Sequence, residues 1–344
     1  MTTSHVRSIA DGVYLWQPAR PSAGWGLANC GLIASPSHGE AAWFDCPYDL
    51  DMAADFLARC RPILGDVPVS LLLGSHGNGD HLWGAQAVPE ARIIYTAETA
   101  QHIAHEPSPA QLHALVHKSD PDTVVGWYLR EHFGRYDWSQ LALRDPFITF
   151  RGELEVAVGD IPVQLTQLGP AHTVGDLIAY LPRQGVVFAG DVIFSSTPEE
   201  PGDHPVHWSG PLAGIIEGCT RVLDTGATII VPGHGPVLDR AGVRDHIAYL
   251  EDLRSRAHLL HEQGVPLAEA ARRIITELQD LGLGLPERLI ITVGAEYRHL
   301  DAAPVPAMLD QVTAMAQLAW ELQHPGVSLP RQGQPQGQTP SALV

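Results

Sequence analysis

Short apolar blocks separated by turn residues fill the first third of the chain. Gly12-Val13-Tyr14-Leu15-Trp16, Cys30-Gly31-Leu32-Ile33 and Ala41-Ala42-Trp43-Phe44 are apolar runs bounded by Gly, Pro and Ser, the pattern of strands joined by turns. A helix is predicted from Leu50 to Cys60, with Ala54, Leu57 and Ala58 on one face. The apolar run Val67 to Leu73 reads as a strand covered on both faces. Between Ala97 and Asp145 the pattern turns helical. There Ser108-Pro109-Ala110-Gln111 combines a capping Ser, a Pro at the first helical position and a Gln three residues after the cap. Strands return at Val163 to Leu168, Gly185 to Ala189 and Thr228 to Val231.

From Arg240 to Gln323 the pattern is wholly helical. Val243, Ile247, Leu250, Ala257 and Leu260 recur at helical steps, and Pro266 opens a second helix through Leu278. Two more helices are predicted around Leu289 to Leu300 and Met308 to Leu322. In the last segment Gln332, Gln334, Gln336 and Gln338 alternate with Gly and Pro and cannot bury a core. The expected organisation is one domain over 1–240 with a helical insert at about 97–145, a helical extension over 241–323, and a disordered tail over 324–344.

Composition narrows the functional classes. Against 39 acidic residues stand 21 basic ones, a net charge of −18 with histidine neutral, so nucleic acid and anionic membranes are poor partners. No run approaches the length of a membrane span, and Met1 to Trp16 lacks the cationic start and apolar core of a secretory leader. Cys30, Cys46, Cys60 and Cys219 form no CxxC pair; reduced, small core residues in a cytoplasmic protein are expected. The insert concentrates Trp127, Tyr128, Phe133, Tyr136 and Trp138. These aromatics either pack the insert onto the sheets or wall an apolar pocket for a small-molecule substrate. No oligomeric state is fixed, a homodimer being one option. Eighteen histidines are the abnormal count.

The chemistry concentrates in Ser75-His76-Gly77-Asn78-Gly79-Asp80-His81, directly after the predicted strand ending at Leu73. Glycines let this loop turn tightly enough for alternate polar side chains to converge on one point. Three further segments repeat the order of apolar strand, turn and ligand. Gln164 to Leu168 leads to His172, Gly185 to Gly190 delivers Asp191, and Thr228 to Gly233 delivers His234. His204 and His207 read as exposed loop residues. His102, His105, His113, His117, His246, His258 and His261 read as solvent-facing positions on helices.

In this order and at these intervals, residues from about 10 to 240 resemble the metallo-β-lactamase fold superfamily of metal-dependent hydrolases. The resemblance implies an α/β fold, a four-layer αββα sandwich, with metals at one edge between the sheets. His76, Asp80 and His81 correspond to the H-x-H-x-D-H signature, His172 to the next His, Asp191 to the bridging carboxylate and His234 to the last His. One metal would use His76, His172 and position 78. The other would use Asp80, His81 and His234, with Asp191 shared. Asn78 departs from the family's His, and an amide oxygen is a weaker, harder ligand than imidazole. Three outcomes are open. One ion is held by Asp80, His81, Asp191 and His234; or Asn78 coordinates through oxygen and shifts preference toward manganese or iron; or Asn78 hydrogen-bonds a water.

The implied cofactor is thus one or two divalent ions, zinc first, with manganese or iron as alternatives. The expected activity is metal-activated water attacking an ester, thioester, lactone or amide. Asp80 and Asp191 are the expected catalytic carboxylates. No G-x-S-x-G elbow is present. Two rival readings stand beside this one: an iron-dependent, oxygen-activating enzyme on the same scaffold, and a non-catalytic metal-binding or regulatory protein.

Overall fold

The computed structural model describes residues 4–19 and 24–329. Most of the expected tail therefore lies outside the described residues; 324–329 follow the last helix without regular structure.

Seven strands form the first sheet: β1 (His5–Ala10), β2 (Val13–Gln17), β3 (Cys30–Ser35), β4 (Glu40–Phe44), β5 (Leu71–Leu73), β6 (Arg92–Thr96) and β7 (Ile148–Phe150), side by side in sequence order. Pairing is antiparallel from β1 to β4 and parallel from β4 to β7. The second sheet has five strands in the order β12 (Ile229–His234), β11 (Val186–Phe194), β10 (Leu177–Leu181), β9 (Ile161–Gln167) and β8 (Glu153–Val158).

Strand periodicity assigns each side chain to a layer. On β3, Ile33 faces the space between the sheets, while Cys30, Leu32 and Ala34 face outward. There they pack with Phe56 and Cys60 of α1 (Leu50–Leu64). On β11, Val186 and Phe188 point between the sheets, whereas Val187 and Ala189 meet the helices beyond. Those helices include α6 (Leu212–Asp224), with Ile215 and Cys219, and α7 (Arg240–Glu262), with Val243 and Leu250. The result is the four-layer αββα sandwich. All four cysteines are buried and free.

The remaining helices are α2 (Gly79–Leu82), α3 (Ala97–Ile103), α4 (Pro109–Lys118), α5 (Val124–Phe133), α8 (Leu267–Leu278), α9 (Leu289–Asp301) and α10 (Met308–Gln323). The Ser108–Gln111 capping box at α4 forms as the sequence predicts. Residues on both sides of position 240 share one core, since Ile274, Leu289 and Leu318 cluster with Ile178 and Val187 of the second sheet. Among the described residues no helix is long and apolar enough to cross a membrane.

Several local expectations are corrected. The strand predicted over 67–73 pairs only at Leu71–Leu73. The strand predicted to stop at Ala189 runs on to Phe194, through a register shift at Gly190, whose φ is +55°. Asp191 is therefore inside a strand and not in a turn after one. His204, His207 and His246 are buried, with 3%, 0% and 8% of their surface exposed, because the C-terminal helices cover the segment expected to face solvent.

Candidate metal centre

The loop after β5 is held down by a carboxylate that the sequence reading passed over. Asp45, at the end of β4, is fully buried and accepts from the Ser75 amide at 2.7 Å, from Ser75 Oγ at 2.8 Å and from His81 Nδ1–H at 2.8 Å. Its φ of +59° is unusual for a residue with a side chain, so the backbone is bent to aim that carboxylate. Ser75 Oγ gives its proton to Asp45, so at 2.9 Å it accepts from His76 Nδ1–H. Both imidazoles thereby turn Nε2 toward the site.

Six of the seven expected residues converge around these nitrogens. His81 Nε2 lies 3.2 Å from Asp191 Oδ1 and 3.9 Å from Asp80 Oδ2. His234 Nε2 lies 3.3 Å from Asp191 Oδ2 and 3.5 Å from Asp80 Oδ2. Asp191 Oδ2 is also 3.5 Å from His172 Nε2 and 3.9 Å from His76 Nε2. The seventh, Asn78, has its Oδ1 2.8 Å from His172 Nε2. Opposite, His172 Nδ1–H donates to the Val206 carbonyl at 2.7 Å. Gly233 keeps Asp191 in place, because a Cβ there would fall 1.8 Å from Asp191 Oδ1.

The donor chemistry fits a divalent cation. His76 Nε2, His81 Nε2 and Asp191 Oδ1 are buried without a hydrogen-bond partner, a costly state unless something positive meets them. The groups His76/His81/Asp191 and Asp80/His81/His234 each bring three donor atoms within 4.8 Å of one another. Burial alone would raise the Asp191 pKa, but His234, His81 and His172 overturn that and hold it well below the carboxylate range. Burial opposes a charge on His81, yet Asp191, Asp45 and Asp80 push its pKa well above the ordinary value. Burial, reinforced by His81, keeps His76 neutral.

The aromatic insert does something other than present Trp127, Tyr128 and Trp138 to a cleft. Tyr128 and Trp138 are fully buried, and Trp127 packs edge-on against Trp320 of α10. Instead the insert grips Trp25. Trp25 Nε1 donates to Tyr128 Oη at 2.9 Å, and Arg135 Nη2 and Tyr136 Oη donate to the Trp25 carbonyl at 2.9 and 2.5 Å. The Trp25 ring meets Phe133 and Trp208, and the Trp208 amide donates to the His172 carbonyl at 2.9 Å. An aromatic pair thus adjoins His172, with Trp25 supplied by a loop that the sequence reading had not singled out.

The segment 202–212 is clamped by the C-terminal helices. His204 N and Gly284 N exchange bonds with Gly284 O and Gly202 O, at 2.8 and 3.0 Å. Thr292 Oγ1 accepts from His207 N at 3.1 Å, and Arg298 Nη2 donates to Trp208 O at 2.7 Å. Glu296 Oε2 accepts from Leu212 N at 2.7 Å.

Residues 23–255 match the family model described as the metallo-beta-lactamase superfamily. No curated protein matches the sequence. Among solved structures, a metallo-beta-lactamase from Pontibacter korlensis is 17% identical, with 72% of this chain and 99% of that one covered and a TM-score of 0.52. The stereoselective inverting sec-alkylsulfatase Pisa1 from Pseudomonas sp. is 14% identical over 88% of this chain and 52% of its own, with a TM-score of 0.63. The metallo-beta-lactamase FIM-1 from Pseudomonas aeruginosa, in a mono-zinc form, is 17% identical over 73% and 96%, with a TM-score of 0.53. At these identities the structural likeness shows the fold, and the family match adds membership. The chain belongs to the metallo-beta-lactamase superfamily.

Proposed function

We propose that this protein is a metal-dependent hydrolase acting on an ester, thioester, lactone or amide of a small organic substrate, with Asp80, His81, Asp191 and His234 at the heart of its metal centre. The observation that carries the reading is the set of buried donor atoms without partners, aimed at one another around Asp191. When bound there, a divalent ion, zinc first and manganese or iron as alternatives, lowers the pKa of a water toward neutrality and polarises a carbonyl oxygen.

The chain's own residues supply the rest. Asp45 holds the proton on His81 Nδ1, which keeps Nε2 available as a donor. Ser75 does the same for His76. Asp80, more open than its neighbours, orients the nucleophile and receives its proton. Trp25 and Trp208, packed together next to the His172 backbone, offer an apolar surface suited to the organic part of a substrate. Neighbours named as metallo-beta-lactamases and a sec-alkylsulfatase are in keeping with hydrolysis.

Dialysis against a strong chelator is the test. Activity on a panel of ester, thioester, lactone and amide substrates should vanish and the melting temperature should fall, both returning with zinc. Unchanged hydrolysis after confirmed metal loss overturns the proposal.

A further inference from the structure

We propose that the centre holds a single ion, because Asn78 and His172 occupy each other: the amide takes up the imidazole nitrogen that a second ion would need. This rests on the metal-dependent reading above.

His172 is committed on both sides. With Nδ1–H donated to Val206 O, the neutral ring has its lone pair on Nε2. That nitrogen lies 2.8 Å from Asn78 Oδ1, closer than its 3.5 Å to Asp191, and two acceptors do not settle at that distance. A lone pair at 2.8 Å calls for a donor. Asn78 supplies one once its carboxamide is turned over, so that the NH2 takes the place of Oδ1; the two ends have the same shape and the hydrogen-bond network decides between them. Held between Val206 O and Asn78, His172 has no lone pair to offer a metal.

Once His172 is taken, the other donors lead to the same number. Both three-donor groups need His81, and Asp45 already holds its Nδ1, so one nitrogen is left for one ion. The groups are therefore alternatives. With His172 taken, the position beside His76 keeps that imidazole and a share of Asp191, whereas zinc sites use three or four protein ligands. Asp80, His81 and His234 do supply three, with Asp191 3.2 Å from His81 and 3.3 Å from His234. Where the family places a second cation, this chain places a neutral amide–imidazole pair.

The test follows the imidazole nitrogens by long-range proton–nitrogen NMR while the metal-free full chain is titrated with zinc, with metal content measured by mass spectrometry. His81 and His234 Nε2 should shift and saturate at about one zinc per chain, while His172 keeps its Nδ1–H form and its Nε2 signal. Asn78→His, which adds an imidazole and frees His172, should raise the content toward two. In metal-free Asn78→Leu the His172 Nε2 signal should move, because its partner is gone; an unmoved signal would overturn the proposal. Coordination of His172 in the unmodified protein, with two equally tight ions, would overturn it as well. A titration in which no imidazole responds would instead refute the metal-dependent reading itself.

Discussion

Asp45 decides how the two histidines of the Ser75–His81 loop present themselves. It accepts three hydrogen bonds in a fully buried position, and one of them sets the tautomer of His81. Asp45→Asn keeps the shape but turns an acceptor into a potential donor against His81 Nδ1–H. Metal affinity should fall by about 10–100-fold, the usual effect of losing such a partner, with the fold retained; competition against a chelating dye measures it. The metal-type residues were legible because glycines and alternating ligands make a poor core segment. Asp45 was not, because a lone carboxylate after an apolar strand also describes an ordinary turn residue. Asn78 was legible as a departure, but its partner was not. Pairing with His172, 94 positions away, appears only once both sheets are folded.

Among the elements, α9 has the widest influence on the site. Thr292, Glu296 and Arg298 lie within two turns and bond to residues 207, 212 and 208 of the clamped segment. Thr292→Val keeps the volume and leaves the buried His207 amide without an acceptor, a cost of about 1–3 kcal/mol. Hydrogen exchange at His207 and Trp208 should accelerate while β11 stays protected; equal acceleration everywhere would show a general loss of stability. Period-based reading found β2, β3, β4 and the helices after 240, where apolar positions recur over several turns or alternate between Gly and Pro. It passed over β1 and β8, whose exposed polar positions break up the apolar run, and over β6, β7 and β10 as well. It passed over α6 too, although Leu212, Ile215, Cys219 and Val222 recur at helical steps.

For the molecule as a whole, buried neutral histidines tie stability to pH. His204 and His246 both sit at a pKa of about 4, first through burial, with Arg288 adding to the effect at His204. Unfolded, each returns to about 6.5 and binds a proton that the native state refuses, so stability falls as pH drops from about 6.5 to about 4. The slope is at most ~1.4 kcal/mol per pH unit for each group. Denaturant titrations across that window should give a shallower slope for His246→Leu than for the unmodified protein; identical slopes would mean that His246 is charged in the native state. The four-layer architecture was readable because the order and intervals of the strand-end ligands resemble those of a superfamily with that fold. The burial of these histidines was not, since position on a loop or helix does not say what later packs over it. The clamp on residues 202–212 has a bearing on heredity. Every proposed ligand lies before residue 255, where the family match ends, yet Gly284, Thr292 and Arg298 lie beyond it. A lineage that exchanged its C-terminal helices would keep its full list of metal-binding residues and still inherit a differently aimed His172.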